Sequence, residues 1–98
     1  MELHPDVQAF LDALRALQCH LEDFDAPWAD QVRRAADEVS RSDARGLQRF
    51  LGFFGGMGSL NDLVLSRDDA KLMVENDKLD ALRSKAWDLA NNLRHEIG

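Results

Sequence analysis

The sequence predicts an all-α fold, a compact bundle of four main helices with an apolar glycine-rich loop between the third and the fourth. Leucine and alanine are abundant, tyrosine is absent and β-branched residues are few, a composition that favours helices over strands. Apolar residues recur at three- and four-residue steps in four separate segments, as they do on the buried face of a helix. The stretch 50–65 is the most apolar and the most glycine-rich, and it interrupts this pattern.

The length and composition predict one globular domain, residues 1–98. Hydrophobic residues make up 45% and charged residues 31% of the chain, which is typical of a folded domain rather than a disordered one. The single cysteine, Cys19, allows no internal disulfide. No apolar run approaches the roughly 20 residues of a membrane span, and the N-terminus lacks the features of a secretory signal. We therefore expect a cytoplasmic protein that does not enter a membrane.

The first two predicted helices meet at an acidic connection. The first covers 5–23, and the second begins near Asp25 or Ala26, either of which would cap it, with Pro27 in its first turn. The apolar stripe of the first helix is Val7, Phe10, Leu11, Leu14, Leu17 and Leu21, and that of the second is Trp28, Val32, Ala35, Ala36 and Val39.

The third predicted helix begins at Ser42–Asp43 and leads into the glycine-rich loop. Its stripe is Leu47, Phe50, Leu51 and Phe54. Gly46 and Gly52 lie within this helix, where glycines often mark close packing against a neighbour. The run 55–58 is expected to stop the helix, with one glycine as the left-handed residue beyond its end and Ser59 capping a short turn. The structural loop comprises Gly55, Gly56, Met57, Gly58, Ser59, Asn61 and Asp62.

The last predicted helix closes the bundle. The segment 66–69 fits a capping box, and a short helix through 71–73 could precede the final one. The final helix extends from about Asp77 to Ile97. Its stripe is Leu79, Leu82, Ala86, Leu89, Leu93 and Ile97. Trp87 lies beside that stripe, so it is either a large residue at the edge of the core, the interpretation we favour, or a contact for a partner.

Charge is distributed unevenly along the chain. The net charge is −6, and residues 1–30 carry seven acidic residues against one basic residue, Arg15, whereas 31–98 carry eleven of each sign. Such a field repels nucleic acid and attracts basic partners. The predicted partner-binding residues, which we call the acidic corner, are Glu22, Asp23, Asp25, Trp28 and Asp30. The alternative is that these side chains only cap helices and contact solvent.

The motifs of known chemistries are absent from the sequence. The glycine run has no Lys or Arg between Gly52 and Ser66 and follows a helix, so neither a phosphate loop nor a dinucleotide site is expected. His4, His20 and His95 lie in three separate regions, which disfavours a zinc site. No basic stripe is present for nucleic acid. We expect neither an enzyme nor a protein with a cofactor or a metal.

The run Phe54-Gly-Gly-Met-Gly-Ser-Leu-Asn-Asp-Leu-Val-Leu65 resembles the signature of a family of small uncharacterised bacterial domains. Their chains are of about this length, and a closing amphipathic helix follows the run. The resemblance covers roughly 45–95 and implies no catalytic residues. In size, charge and architecture the chain is also similar to bacterial immunity proteins, which bind and block a toxin.

Together these features predict a small protein-binding module. The main hypothesis is an immunity-like protein that neutralises a basic toxin domain through the acidic corner, with Trp28 as its apolar anchor. One alternative is a structural module that forms a homodimer or larger homo-oligomer through its last helix. Another is a small-ligand-binding domain at 55–62.

Overall fold

The computed structural model describes residues 3–54, 58–67 and 70–97. Its α-helices are α1 (Pro5–Glu22), α2 (Ala26–Ser40), α3 (Ala44–Gly52) and α4 (Met73–Ile97). A short 3-10 turn, Leu60–Asp62, and a two-stranded antiparallel hairpin, β1 (Ser66–Arg67) and β2 (Ala70–Lys71), lie between α3 and α4. The predicted all-α bundle of four helices is confirmed.

The core lies between the facing stripes of the four helices. Helix α1 packs against both α2 and α4, and α3 packs mainly against α2. The radius of gyration, 13.4 Å, matches the roughly 13 Å expected of a compact domain of this length. The largest fully buried side chains are Phe10, Phe50, Leu14, Leu17, Leu21, Leu60, Leu79 and Val32.

The helix starts follow the predicted caps. Helix α2 is capped by Asp25 rather than by Ala26, because an Asp25 carboxylate oxygen accepts a hydrogen bond from the backbone N–H of Trp28 at 3.0 Å. Asp43 caps α3 in the same way through the N–H of Arg45, at 2.9 Å. Helix α1 ends at Glu22, one residue earlier than predicted, and Asp23 is its C-cap residue.

The prediction that the glycine run stops the third helix is wrong for the part of the run that the structure describes. Helix α3 ends at Gly52, before the run, because the N–H groups of Phe53 and Phe54 bond back three residues, to Phe50 and Leu51. The Phe53 carbonyl then accepts the N–H of Leu60 at 2.8 Å, which turns the chain away from the helix. Gly58 has a positive φ of 75°, but it is well beyond the helix end. Gly55, Gly56 and Met57 lie outside the described residues.

The start of the last helix also differs from the prediction. Ser66 does not cap a helix, because it pairs with Lys71 in the hairpin; Asp68 and Asp69 lie outside the described residues. Helix α4 begins at Met73 instead of Asp77, so no separate short helix precedes it. The reason is the Asn76 side chain, which donates to the carbonyls of Leu65 and Leu72 and accepts the N–H of Leu65, all within 2.9 Å. These bonds tie the first turn of α4 to the hairpin.

An aromatic row crosses the bundle at the level of α3. Neighbouring rings along it lie 4.7 to 6.0 Å apart between centroids, distances at which edge-to-face aromatic pairs stabilise a fold. The row begins at one tryptophan and ends at the other. Its members, in order, are Trp28, Phe53, Phe50, Phe54 and Trp87.

Candidate functional site

The acidic corner is brought together by the short connection between α1 and α2. Glu22 is the last residue of α1 and Asp23 is its C-cap. Asp25 is the N-cap of α2, and Trp28 and Asp30 follow within its first turns. Since the connection is so short, the end of α1 and the start of α2 are neighbours in space as well as in sequence. The predicted residues therefore occupy one end of this helix pair.

Two members of the corner have structural roles. The Asp25 carboxylate caps α2 by accepting the N–H of Trp28. Trp28 is half-buried, and its ring packs edge-on against Phe53 with centroids 5.3 Å apart. The interaction holds the indole in place and leaves part of it at the surface, which suits an anchor for a partner.

Asp30 is neutralised by its own helix. One carboxylate oxygen lies 2.5 Å from an Arg33 guanidinium nitrogen, and the other lies 3.1 Å from Arg34. The hydrogen bond from Arg33, followed by the charges of Arg33 and Arg34, lowers the pKa of Asp30 below its ordinary value. Asp30 therefore stays ionised, but it adds little net negative charge to the corner.

Besides Asp25, which caps α2, the negative charge that remains in the corner comes from Glu22 and Asp23. Both are exposed, and neither forms an ion pair within the described ranges. Glu22 accepts a hydrogen bond from the Gln18 amide at 3.1 Å, which positions its carboxylate without neutralising it. A shallow groove of about 350 Å³ runs between α1 and α2 here. It is lined by Gln18, Glu22, Ala26, Ala29, Asp30 and Arg33.

The predicted structural loop is described only in part. Ser59 is buried and Leu60 is fully buried, so this part of the connection packs into the bundle as expected. Ser59 precedes the 3-10 turn, although its side chain makes no capping hydrogen bond. Asn61 and Asp62 are exposed.

A cavity that the sequence analysis missed lies between α4 and the start of the α3–α4 connection. Its volume is about 450 Å³. It is lined by Phe54, Asn61, Asp80, Arg83, Ser84, Trp87 and Asp88. Position alone favoured a core-edge role for Trp87. The indole is half-buried and packs on Phe54, which agrees with that role, and it also lines the cavity. The sequence signal for this cavity was the position of Trp87 beside the apolar stripe of α4, with the acidic Asp88 next to it.

Two further features are missing from the part of the chain that the structure describes. No helix there combines the length and the apolar character that crossing a membrane requires. No group of three or more His, Cys, Asp or Glu side chains in the same ranges is arranged to hold a metal ion.

Comparison with known proteins gives one match. A family model described as a domain of unknown function (DUF6966) matches residues 21–74, more than half of the chain. No curated protein and no solved structure matches the sequence. The matched range contains the acidic corner and the glycine-rich loop, whereas the α4 residues of the cavity lie beyond it.

Proposed function

The chain belongs to the DUF6966 family, whose description assigns no activity, and we propose from the chain's own surface that it is a small cytoplasmic protein-binding module. In this proposal the module is immunity-like: it binds a basic toxin domain through the acidic corner and blocks it. The observation that carries the proposal is the pair of exposed carboxylates, Glu22 and Asp23, at the same end of the α1–α2 pair as the partly exposed residue Trp28.

The charge pattern supports a partner of opposite sign. On α2, Asp30 and Asp37 are matched by Arg33, Arg34 and Arg15, whereas Glu22 and Asp23 at the end of α1 form no ion pair among the described residues. Exposed charges of one sign steer a complementary partner and accelerate association. An aromatic ring held against Phe53 then offers apolar area at little cost in side-chain entropy.

The test is binding of a basic protein encoded beside this gene, measured with purified proteins. We expect Glu22→Lys combined with Asp23→Lys to weaken the complex by about tenfold or more, because exposed ion pairs contribute up to about 1 kcal/mol each and reversal adds repulsion. Added salt should weaken the wild-type complex and have less effect on the variant. Asp25 is unsuitable for this test, because its replacement would remove the cap of α2.

Asp12→Lys is the matched control, since it reverses an exposed acidic residue of the same helix, α1, at about 15 Å along the helix from Glu22. It should bind as the wild type does. If co-expression of the wild-type chain relieves the toxicity of the neighbouring protein, the immunity-like role is supported. Binding that is equal in the double variant and the wild type would contradict the role of the corner.

The homo-oligomer remains a second prediction, but the fold restricts which face of α4 a second copy could bind. Within the predicted stripe of α4, Leu79, Ala86 and Leu93 are already buried within the single chain. A second copy would therefore have to bind another face. Sedimentation at high concentration distinguishes the two proposals, because the binding module is expected to remain a monomer. The ligand-binding alternative at the glycine-rich loop stays a prediction as well.

A further inference from the structure

The cavity beside Trp87 has no role in the proposed function. It lies between the α4 segment 80–88 and the connection after α3, and it shares no lining residue with the acidic corner. At about 450 Å³ it is large enough to take a side chain of a partner. What it would bind follows from its aromatic rings and from the charges that remain available.

The apolar part of the cavity is a fixed pair of rings. The Trp87 and Phe54 centroids lie 4.7 Å apart with a tilt of 56°, and Phe54 also packs against the fully buried Phe50 at 5.1 Å. Trp87 is thus held in position before any ligand arrives. An aromatic ring in such a setting attracts a cation over its face, and tryptophan does so best.

The one arginine that lines the cavity is already engaged. A terminal nitrogen of Arg83 donates to the Leu60 carbonyl at 2.8 Å and to the Leu63 carbonyl at 3.3 Å. The other terminal nitrogen donates to the carboxylate of Asp80, so their charges offset each other. Its side chain is only 12% exposed. Arg83 therefore holds the chain and is a poor binding group for an anion.

The remaining charge in the cavity is negative. Asp88 is exposed and forms no ion pair among the described side chains, while Arg83 and Asp80 cancel. Ser84 and Asn61 add neutral hydrogen-bond acceptors. A phosphate or carboxylate would be repelled, and a cation with a flat or apolar stem would be attracted both to the rings and to Asp88.

We propose that this cavity binds an arginine side chain of a protein partner. The guanidinium stacks near Trp87, its stem lies along Phe54, and its N–H groups donate to the Asp88 carboxylate. Arginine fits better than lysine because its planar head group can stack on an aromatic ring and donate in several directions at once. The site is independent of the acidic corner, so either can fail without the other.

The test uses a short capped peptide, acetyl-Gly-Arg-Gly-amide, followed by NMR of the indole N–H groups. The indole signal that persists in Trp28→Phe belongs to Trp87. A saturable shift of that signal is expected with a Kd on the order of 1–10 mM, since a single side chain supplies little binding energy. The same peptide with citrulline, which is isosteric with arginine and uncharged, should bind at least about fivefold more weakly.

The variant that tests the site is Asp88→Asn, which keeps the size of the side chain and removes its charge. It should weaken the arginine peptide by about fivefold, whereas Asp77→Asn, which changes an exposed acidic residue of α4 outside the cavity, should leave binding unchanged. Circular dichroism of both variants verifies that each remains folded.

Four outcomes would overturn the proposal. They are no saturable shift at Trp87, equal binding of the citrulline peptide, equal binding by Asp88→Asn, and a stronger response of Trp87 to inorganic phosphate than to the arginine peptide. None of them bears on the acidic corner, whose test uses different residues.

Discussion

Helix α3 is held to α2 and to α4 by different means. Against α2 the contact is direct. A Cβ at Gly46 would lie 2.7 Å from the carbonyl oxygen of Ala35 and 2.7 Å from a methyl carbon of Val39, so the two helices touch backbone to backbone. Close by, Arg49 pairs with Glu38 at 2.5 Å, and Glu38 is only 8% exposed. The connection between these helices is short, and α3 is placed by packing and by one ion pair.

Against α4 the contact is mostly indirect. The chain between Phe53 and Leu72 separates the two helices, and α4 packs chiefly on α1. Two side chains of α4 hold this connection by bonding to its backbone: Asn76 bonds to Leu65 and Leu72, and Arg83 bonds to the carbonyls of Leu60 and Leu63. The difference shows that a long connection can be fixed by a few polar side chains where helix packing is sparse.

The largest loss of stability is expected from Asn76→Ala. The variant removes two buried hydrogen bonds and one partly buried one, and it leaves the Leu65 N–H without its partner. We expect the free energy of unfolding to fall by about 2–3 kcal/mol, measured by urea denaturation. Asn92→Ala, at an exposed position on the same helix, should change it by less than about 0.5 kcal/mol. Equal losses in the two variants would show that Asn76 does not hold the connection.

Gly46→Ala should have the next largest effect. The added methyl group would overlap backbone atoms of α2, which cannot move as a side chain can, so we expect a loss of about 1–3 kcal/mol. Gly52→Ala is the matched control. A Cβ there would meet no atom within 4 Å, so the variant should be neutral or more stable by up to about 1 kcal/mol. A stable Gly46→Ala would mean that the two helices can separate without cost.

The smallest effect is expected from Glu38→Gln, and it should depend on pH. The hydrogen bond from Arg49 is the main cause that lowers the pKa of Glu38 below its ordinary value of 4.5. The unfolded chain therefore binds this proton more readily, so the ion pair stabilises the fold above the ordinary pKa and loses that contribution as pH falls through the lowered one. The difference between wild type and variant, measured by urea denaturation, should be constant from about pH 7 to about pH 5 and should shrink below that.

Two controls tie this pH dependence to the α2 side of α3. In an Arg49→Gln background, the pH dependence of Glu38→Gln should disappear or change sign, because burial and the charge of Asp43, which both raise the pKa of Glu38, are then no longer outweighed by Arg49. The loss caused by Asn76→Ala should be the same in acid and at neutral pH, since its bonds are made by an amide. An effect of Glu38→Gln that keeps the same pH dependence without Arg49 would contradict the ion-pair explanation.

The elements that could be predicted from the sequence depend on contacts between residues close in the chain, and the elements that were missed depend on distant ones. The caps Asp25 and Asp43 were predictable because a cap bonds to a backbone group only two or three residues away. The close approach at Gly46 was predicted correctly, whereas Gly52, which carried the same signal, touches nothing. The hairpin and the early start of α4 were missed because both depend on Asn76, which bonds to a residue eleven positions away.

The same distinction between local and distant contacts applies to the two candidate sites. The acidic corner was predicted as a set because its residues lie close together in sequence, between Glu22 and Asp30. The pairing of Asp30 with Arg33 and Arg34 was missed, although the three- and four-residue spacing was visible. The cavity was not predicted, because Phe54 and Trp87 come from separate segments and only the tertiary fold brings them together.

The aromatic row has a consequence for how the acidic corner and the Trp87 cavity can change in evolution. Its middle ring, Phe50, contacts both Phe53, which supports Trp28, and Phe54, which supports Trp87. A substitution that alters the size of Phe50 would shift both neighbours, and so it would reach both tryptophans at once. A change in the size of Phe50 therefore cannot remodel one surface while leaving the other as it was. Divergence of either surface on its own can come from the phenylalanine that supports its tryptophan, Phe53 or Phe54, and from the charged residues nearby.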